Sequence, residues 1–187
     1  MGNVFGALIY GKDQPYGEII TKETVESITL EDCKNYYNTY FKPNITYIAV
    51  VGDVKTKSIK KLFKKHLSEW ATGEITPSTF PLPESIEKTA VAFVDRPSSV
   101  QSVIRIGNPI VLKPGEADID AMRVMNAILG GGSMGRLYNN LRETHGYTYG
   151  AYASFGTDKL VSAFYSFAQV RNEVTDSAVY QFLIELE

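Results

Sequence analysis

The sequence predicts an α+β fold, a two-layer sandwich in which helices pack on one face of a mixed or antiparallel sheet. Two kinds of periodicity support this prediction. Some segments repeat apolar residues at the spacing of an amphipathic helix, and others are runs rich in β-branched and aromatic residues. With 187 residues, of which 44% are hydrophobic and 12% aromatic, the chain is large enough to bury a core.

The first part of the chain is predicted to be mainly helical. Residues 4–10 are predicted to be the end of a helix, and residues 22–27 could form a short helical stretch. Thr29 begins a more regular helix, because a threonine three residues before Asp32 forms a capping box and apolar residues then recur at helical spacing. Pro43 ends this helix, since proline cannot continue it.

A linker is predicted after the next strand and helix. Residues 45–51 are a β-prone run, and residues 58–70 form a helix whose apolar side chains share one stripe. Prolines, threonines and serines then concentrate between residues 72 and 87, as is typical of a linker. The predicted organisation is therefore a first partial domain at 1–71, a linker at 72–87 and a second partial domain at 88–187.

The second domain is predicted to mix strands and helices. Its predicted elements are strands at 89–95 and 100–106, helices at 118–129 and 134–144, and strands at 148–155 and 160–170. The closing segment, 177–187, has helical periodicity but no capping signal where it stops. Together with the abrupt start, this pattern favours an excerpt of a longer protein.

Composition excludes several classes of function. The net charge of -2 gives no electrostatic reason to expect nucleic acid or an anionic membrane as a partner. No stretch approaches the roughly 18 consecutive apolar residues that indicate a membrane span. Cys33 is the single cysteine, so an intrachain disulfide is impossible.

The residue types needed for metal or nucleophilic catalysis are dispersed. His66 begins a stretch that opens like the zinc motif H-x-x-E-H, but Trp70 stands where the second histidine is needed, so His66 is predicted to be packed and hydrogen-bonded. His145 lies in a helix-to-strand turn, where capping or exposure explains it. Cys33 falls in the apolar periodicity of its helix and is predicted to lie in the core. No zinc ligands are therefore predicted in this chain.

A glycine-rich segment carries a weak nucleotide-binding signal. Gly130, Gly132 and Gly135 satisfy G-x-G-x-x-G, but a dinucleotide fingerprint needs a strand before it, and here a helix leads in. The segment is better interpreted as a flexible loop between helices, whose backbone can approach another chain closely.

Arg142 and Tyr149 are the candidate functional pair. An arginine near a helix end and a tyrosine at the start of the next strand could reach the same ligand. Guanidinium and phenol groups suit the carbonyls of an extended peptide, or the oxygen that gains charge when a carbonyl is attacked. The alternatives are that Arg142 pairs with a carboxylate and that Tyr149 packs in a sheet.

A set of short motifs occurs along nearly the whole chain. The most specific are N-A-I-L-G-G-G at 126–132, R-L at 136–137, L-R-E at 141–143 and G-Y-T-Y at 146–149. Others are P-Y-G at 15–17, Y-F-K-P-N at 40–44, V-V-G-D at 50–53, V-D-R-P at 94–97 and Q-S at 101–102. Together they resemble the pitrilysin/insulinase family of zinc metallopeptidases, the inverzincins.

The resemblance implies duplicated α+β domains that enclose a peptide-degrading chamber, with H-x-x-E-H early in the first domain of a catalytic half. This chain would then hold the end of one domain and the start of the next. Arg142 and Tyr149 match the spacing of a family pair that reaches toward the peptide bound at the zinc. The glycine loop would border the substrate path, which makes substrate-binding candidates of Gly130, Gly131, Gly132 and Ser133.

Two functions are consistent with the sequence. In the first, the chain is a non-catalytic part of a zinc metallopeptidase and contributes peptide binding and oxyanion stabilisation, with zinc held elsewhere in the parent or in a partner subunit. In the second, it is a structural or partner subunit of the same fold. The partners expected are a peptide substrate, the missing upstream half or a catalytic subunit, and a second copy in a homo-oligomer. Self-association through apolar surface exposed by truncation is a third option.

Overall fold

The computed structural model describes residues 2–12, 14–83, 86 and 88–187. The chain divides into two compact units. The first, which we call the sheet unit, comprises Met1–Ile19 and Phe80–Glu187, and the second, the helical unit, comprises Ile20–Thr79. The predicted limits of the two domains and their linker refer to the parent fold and stay a prediction.

Seven α-helices and a three-stranded antiparallel sheet occur in the part of the chain that the structure describes, and they confirm the predicted α+β class. The helices are α1 (Gly2–Tyr10), α2 (Lys22–Ser27), α3 (Leu30–Tyr40), α4 (Thr56–Leu67), α5 (Asp118–Leu129), α6 (Arg136–Tyr138) and α7 (Thr175–Leu186). None of the described helices is long and apolar enough to cross a bilayer.

The sheet has its last strand in the middle. Its strands are β1 (Gln101–Ile110), β2 (Thr148–Phe155) and β3 (Ser162–Arg171), in the order β1-β3-β2. Both pairings are antiparallel, so β3 supplies the backbone hydrogen bonds for both of its neighbours. Successive side chains of a strand point to opposite faces, and one face of this sheet carries most of its buried residues.

Helices of the sheet unit cover that buried face. Leu137 of α6 and Phe182 of α7 are fully buried there, together with Leu141, which follows α6 in a π-helical segment (Asn139–Thr144). They pack with small strand residues, which allow the helices to approach the sheet closely. The buried members of this core are Ile104, Leu129, Leu137, Leu141, Ala151, Ala153, Ala168, Val170, Ala178 and Phe182.

Two predicted strands are wrong. Residues 45–51 and 89–95 are not assigned to any strand, although both are β-prone. A strand is defined by hydrogen bonds to a neighbour and is stabilised by packing on its faces, and propensity alone supplies neither. The side chains of these runs are instead strongly exposed, as shown by Tyr47 (98%), Val51 (98%), Val91 (90%) and Phe93 (85%).

The helical unit confirms one local prediction and corrects two others. Thr29 and Asp32 form the predicted capping box at the start of α3. No described residue between 20 and 79 is buried, however. Cys33 and His66 are therefore exposed, and the predicted core cysteine and packed histidine are both wrong. Amphipathic spacing predicted the helices correctly, but a stripe of apolar residues is buried only when another layer covers it.

The glycine-rich segment after α5 lies along the outer edge of β2. Gly130 is buried, and its carbonyl accepts a hydrogen bond from the Ala153 backbone N–H at 2.8 Å. A Cβ atom on Gly130 would lie only 2.5 Å from the Ala153 nitrogen, so the close approach requires glycine. At Gly132, by contrast, a Cβ atom would meet nothing within 4 Å.

We expect Gly130→Ala to push this segment away from β2 and to lower the free energy of unfolding by about 1–3 kcal/mol, the usual range for overpacking. Urea unfolding measures the loss, and hydrogen exchange should show reduced protection of the Ala153 amide. Gly132→Ala is the matched control and should stay within about 0.5 kcal/mol of wild type. Equal effects of the two substitutions would contradict the close approach.

A hydrogen bond joins the chain after α1 to the connection between β2 and β3. The Tyr16 hydroxyl donates to Asp158 at 2.7 Å, and the Leu160 backbone N–H donates to the same carboxylate oxygen at 3.1 Å. The Leu160 N–H, followed by the Tyr16 hydroxyl, holds the pKa of Asp158 below its ordinary value. The same bond to Asp158 raises the pKa of Tyr16 above its ordinary value.

The bond between Tyr16 and Asp158 predicts a pH-dependent contribution to stability. The lowered pKa of the Asp158 carboxyl stabilises the fold at pH values above the ordinary carboxyl pKa, near 4. This stabilisation is lost as the pH falls through the lower pKa of the folded state. The raised pKa of the Tyr16 phenol stabilises the fold at pH values below the ordinary phenol pKa, near 10. This stabilisation is lost as the pH rises through the higher pKa of the folded state. Tyr16→Phe should therefore destabilise the protein most at intermediate pH, and the difference from wild type should shrink at either extreme.

Urea unfolding at a series of pH values measures this difference, and NMR titration should show the pKa of Asp158 moving back toward its ordinary value in Tyr16→Phe. Tyr180→Phe, which alters an exposed tyrosine of α7, is the control. A difference between wild type and Tyr16→Phe that stays constant with pH would argue against the hydrogen bond.

Candidate functional site

The two predicted site residues, Arg142 and Tyr149, lie against each other. The guanidinium carbon of Arg142 is 5.1 Å from the centroid of the Tyr149 ring, which is the geometry of a cation–π contact. The Arg142 Nη1 also donates to the Thr148 carbonyl at 3.3 Å. The interpretation that Arg142 pairs with a carboxylate is not supported, since none of its nitrogens forms a salt bridge to a described carboxylate.

The helix that carries Arg142 ends in an irregular way. The segment from Asn139 to Thr144 is π-helical, whereas a regular helix was predicted, and its His145 backbone N–H bonds to the Asn140 carbonyl at 3.1 Å. Gly146 then adopts a positive φ of 62°, the left-handed conformation in which glycine commonly terminates a helix. π-helical turns are rare in proteins, and those that occur often lie at functional sites. Here the turn places Arg142 directly beside the start of β2.

A β-bulge presents Tyr149. Thr148 pairs with Val170 and Ala151 pairs with Ala168, so two residues of β2, Tyr149 and Gly150, lie opposite one residue of β3. A bulge of this kind re-aims a side chain and is common next to active sites.

The hydroxyl of Thr148 holds the bulge in place. It accepts a hydrogen bond from the Gly150 N–H at 3.1 Å and donates to the Gln169 carbonyl at 2.6 Å. The bond to Gln169 ties the bulged strand to the central strand β3. Thr148 itself is buried, so this polar anchor lies at the core side of the sheet.

The pair offers hydrogen-bond donors to an incoming group. Tyr149 is 84% exposed, and Arg142 is partly buried. The guanidinium is always charged, carries five N–H donors and uses one of them on Thr148. The arrangement can hold a carbonyl oxygen or an oxyanion. It does not by itself supply a general base or a nucleophile.

Within the described ranges, no group of three His, Cys, Asp or Glu side chains is placed to hold a metal ion. His145 is exposed and stacks on Tyr147, with ring centroids 5.0 Å apart. The residues that the structure describes therefore do not fit a zinc site.

The glycine loop divides into a buried and an open part. Gly130 is buried with its carbonyl bonded to Ala153, whereas Gly131 and Ser133 are exposed and Gly132 is partly exposed. The predicted role of these four residues in substrate binding stays a prediction. Because Gly130 is buried against β2, it also has a packing role.

Sequence reasoning missed the bulge and the π-helical turn. One signal for the bulge was available: Gly150 interrupts an otherwise regular strand pattern, and a glycine in that position often marks a bulge. The π-helical turn has no comparable signal, because it inserts one residue into a helix without changing its composition.

Comparison with known proteins identifies one family for this chain. A family model described as the peptidase M16 inactive domain matches residues 27–187. The non-peptidase homolog YmxG of Helicobacter pylori is 26% identical over 132 residues, which cover 71% of this chain and 30% of that protein. An uncharacterised zinc protease of Mycobacterium leprae is 25% identical over 159 residues, which cover 82% of this chain and 35% of that protein. The chain spans about a third of the length of these curated relatives.

Solved structures show the same fold. A peptidase M16 inactive domain from Pseudomonas fluorescens matches with a TM-score of 0.81 at 21% identity, covering 97% of this chain and 44% of that one. A protease from Helicobacter pylori matches with a TM-score of 0.71 at 20% identity, covering 89% of this chain and 42% of that one. The resemblance inferred from the sequence motifs is thus confirmed. Because the family model covers most of its length, the chain belongs to the peptidase M16 family, in which it matches the inactive domain.

Proposed function

We propose that this domain binds an extended peptide at Arg142 and Tyr149 and stabilises the oxyanion that forms when the peptide is hydrolysed at a zinc ion held elsewhere. The observation that carries the proposal is the contact between an exposed phenol, presented by a β-bulge, and a guanidinium without a carboxylate partner among the described residues. Two donors held together at an irregular part of the fold suit an oxygen ligand.

The chemistry divides between this domain and the rest of the assembly. A zinc ion held elsewhere in the assembly would supply an activated water and polarise the scissile carbonyl. Here the Tyr149 hydroxyl donates to the carbonyl oxygen, and the contact with Arg142 fixes the direction of the phenol. The charge of Arg142 adds stabilisation as the oxygen becomes negative, because both groups are in place before the reaction begins.

The zinc ligands and the general base then belong to another part of the longer protein or to a partner subunit. This assignment is supported by relatives that carry the name zinc protease and by a family model that describes the matched domain as inactive. It is also consistent with the dispersed histidines of the chain.

We expect Tyr149→Phe to lower kcat by about 100-fold in the peptidase assembly that contains this chain, because one oxyanion donor is removed. The aromatic ring and its contact with Arg142 are retained, so KM should change little. Steady-state hydrolysis of a fluorogenic peptide measures both constants. Tyr180→Phe removes an exposed hydroxyl on α7 and is the control. An unchanged kcat in Tyr149→Phe would remove the oxyanion role.

A second function is a structural or partner subunit without a peptide site. One curated relative is named a non-peptidase homolog, which favours this alternative. In that case the fold serves contacts between proteins, and Arg142 need not face a substrate.

Peptide binding distinguishes the two functions. If Arg142 holds a peptide oxygen, Arg142→Ala should weaken binding by about 10- to 100-fold, the effect of losing a charge-assisted hydrogen bond. Fluorescence anisotropy with a labelled unstructured peptide measures the dissociation constant. Arg123→Ala is the matched control, because Arg123 is an exposed arginine that pairs with Asp120 on α5. Binding that is insensitive to Arg142→Ala would favour the structural subunit.

A further inference from the structure

We infer that Arg105 is a specificity-determining residue, which selects a peptide with an acidic side chain near the residue held by Arg142 and Tyr149. This inference rests on the proposed function, because it assigns a preference to the same peptide site. It is carried by the surroundings of Arg105 on the sheet, and no sequence motif points to it.

Arg105 lies among aromatic rings at the midpoint of β1, an outer strand of the described sheet. In the register of the strands it is opposite Phe167 of β3, which in turn is opposite Tyr152 of β2. The guanidinium carbon lies 4.6 Å from the ring centroid of Tyr165, 5.1 Å from that of Phe5 and 6.0 Å from that of Phe167. The guanidinium carbon is thus within cation–π distance of three rings, and a ring face does not replace a carboxylate or carbonyl oxygen as a hydrogen-bond acceptor.

The donors of Arg105 lack acceptors in the described part of the chain. Its Nε is shut off from solvent and has no hydrogen-bond partner there, and none of its nitrogens forms a salt bridge to a described carboxylate. Two other arginines of the sheet unit have carboxylate partners: Arg123 pairs with Asp120 and Arg136 with Glu185. A buried donor without an acceptor is unusual and calls for an explanation.

A carboxylate is the group that fits this site. The guanidinium presents its donors as a planar fork that matches the two oxygens of a carboxylate. The neighbouring aromatic rings lower the local polarity around the guanidinium, and a charge-assisted bond gains strength in such surroundings. Tyr165 and Phe167 also provide apolar surface for the methylene groups of an acidic side chain.

Arg105 and Tyr149 share one face of the sheet. The neighbours of Arg105 in β1, Ile104 and Ile106, belong to or pack against the core, so Arg105 points away from it. Thr148 is buried and Tyr149 follows it, so Tyr149 also points away from the core.

The distance between the two residues suits an extended peptide. Arg105 is two strands away from Tyr149, because β3 lies between β1 and β2. The two residues are also offset along the strands by two positions, one row of side chains on this face, since Tyr149 lies beside Gln169 and Arg105 beside Phe167. Two strand spacings and one row correspond to about 12 Å between the Cα atoms, or roughly four residues of an extended peptide. The acidic residue is therefore expected about four positions from the one whose carbonyl Tyr149 holds.

The test compares labelled peptides that are identical except for Glu or Gln at one position, which is moved along the sequence. Fluorescence anisotropy on the longest polypeptide that carries this chain gives a dissociation constant for each peptide. We expect wild type to bind the Glu peptide at least about tenfold tighter than the Gln peptide at one position, as for a charge-assisted hydrogen bond. Arg105→Gln should bring this ratio to one without weakening the Gln peptide, and Arg105→Lys should retain part of it.

Arg123→Gln is the control for the loss of one positive charge and should leave the ratio unchanged. The ratio in wild type is informative even if Arg105→Gln does not fold. A wild-type ratio near one at every position, with binding that still depends on Arg142, would overturn the role of Arg105 and leave the proposed function intact. Absence of any peptide binding would overturn both.

Discussion

The backbone pairing of β3 with both of its neighbours is the interaction on which the rest of the sheet unit depends. β3 is the middle strand, so each feature of the site is defined by its register. The Gln169 carbonyl accepts a hydrogen bond from the Thr148 hydroxyl that holds the bulge, and Phe167 lies opposite Arg105. A slip of one residue would exchange the two faces of the sheet, exposing Ala168 and Val170 and burying the aromatic face. Core packing and site geometry are therefore set by one register.

The site combines two departures from regular structure. A π-helical turn carries Arg142, and a β-bulge carries Tyr149, and the two meet where the helix ends and the strand begins. Each departure interrupts a regular ladder of hydrogen bonds, and each is repaired locally: Gly146 ends the helix and the Thr148 hydroxyl bonds within the bulge. Fully buried Leu141 anchors the helix beside Arg142. A rigid core thus supports an exposed pair of donors, which is the arrangement that preorganised binding requires.

Elements that are specified by local signals could be predicted from the sequence. The helix at 118–129, the strand at 148–155 and the capping box at Thr29 agree with the structure, because periodicity and capping are local signals. The runs at 45–51 and 89–95 were predicted as strands and are not, because pairing is a property of the neighbour as well as of the segment. Cys33 and His66 were predicted to be buried and are exposed for a similar reason, since burial depends on a neighbouring layer as well as on the segment. The juxtaposition of Arg142 and Tyr149 was expected from motif spacing, whereas the position of Arg105 among aromatic rings depends on the register of β1 with β3.

The exposed β-prone runs have a consequence for the behaviour of the protein in solution. Tyr47, Val51, Val91 and Phe93 present apolar side chains on backbone that is not assigned to a strand within the described residues. Such backbone is a template for intermolecular strand addition, and apolar side chains on it favour association over hydration. Colloidal behaviour should therefore depend on protein concentration and on solutes that strengthen the hydrophobic effect, such as sulfate salts. A segment or partner that covers these runs would reduce this association.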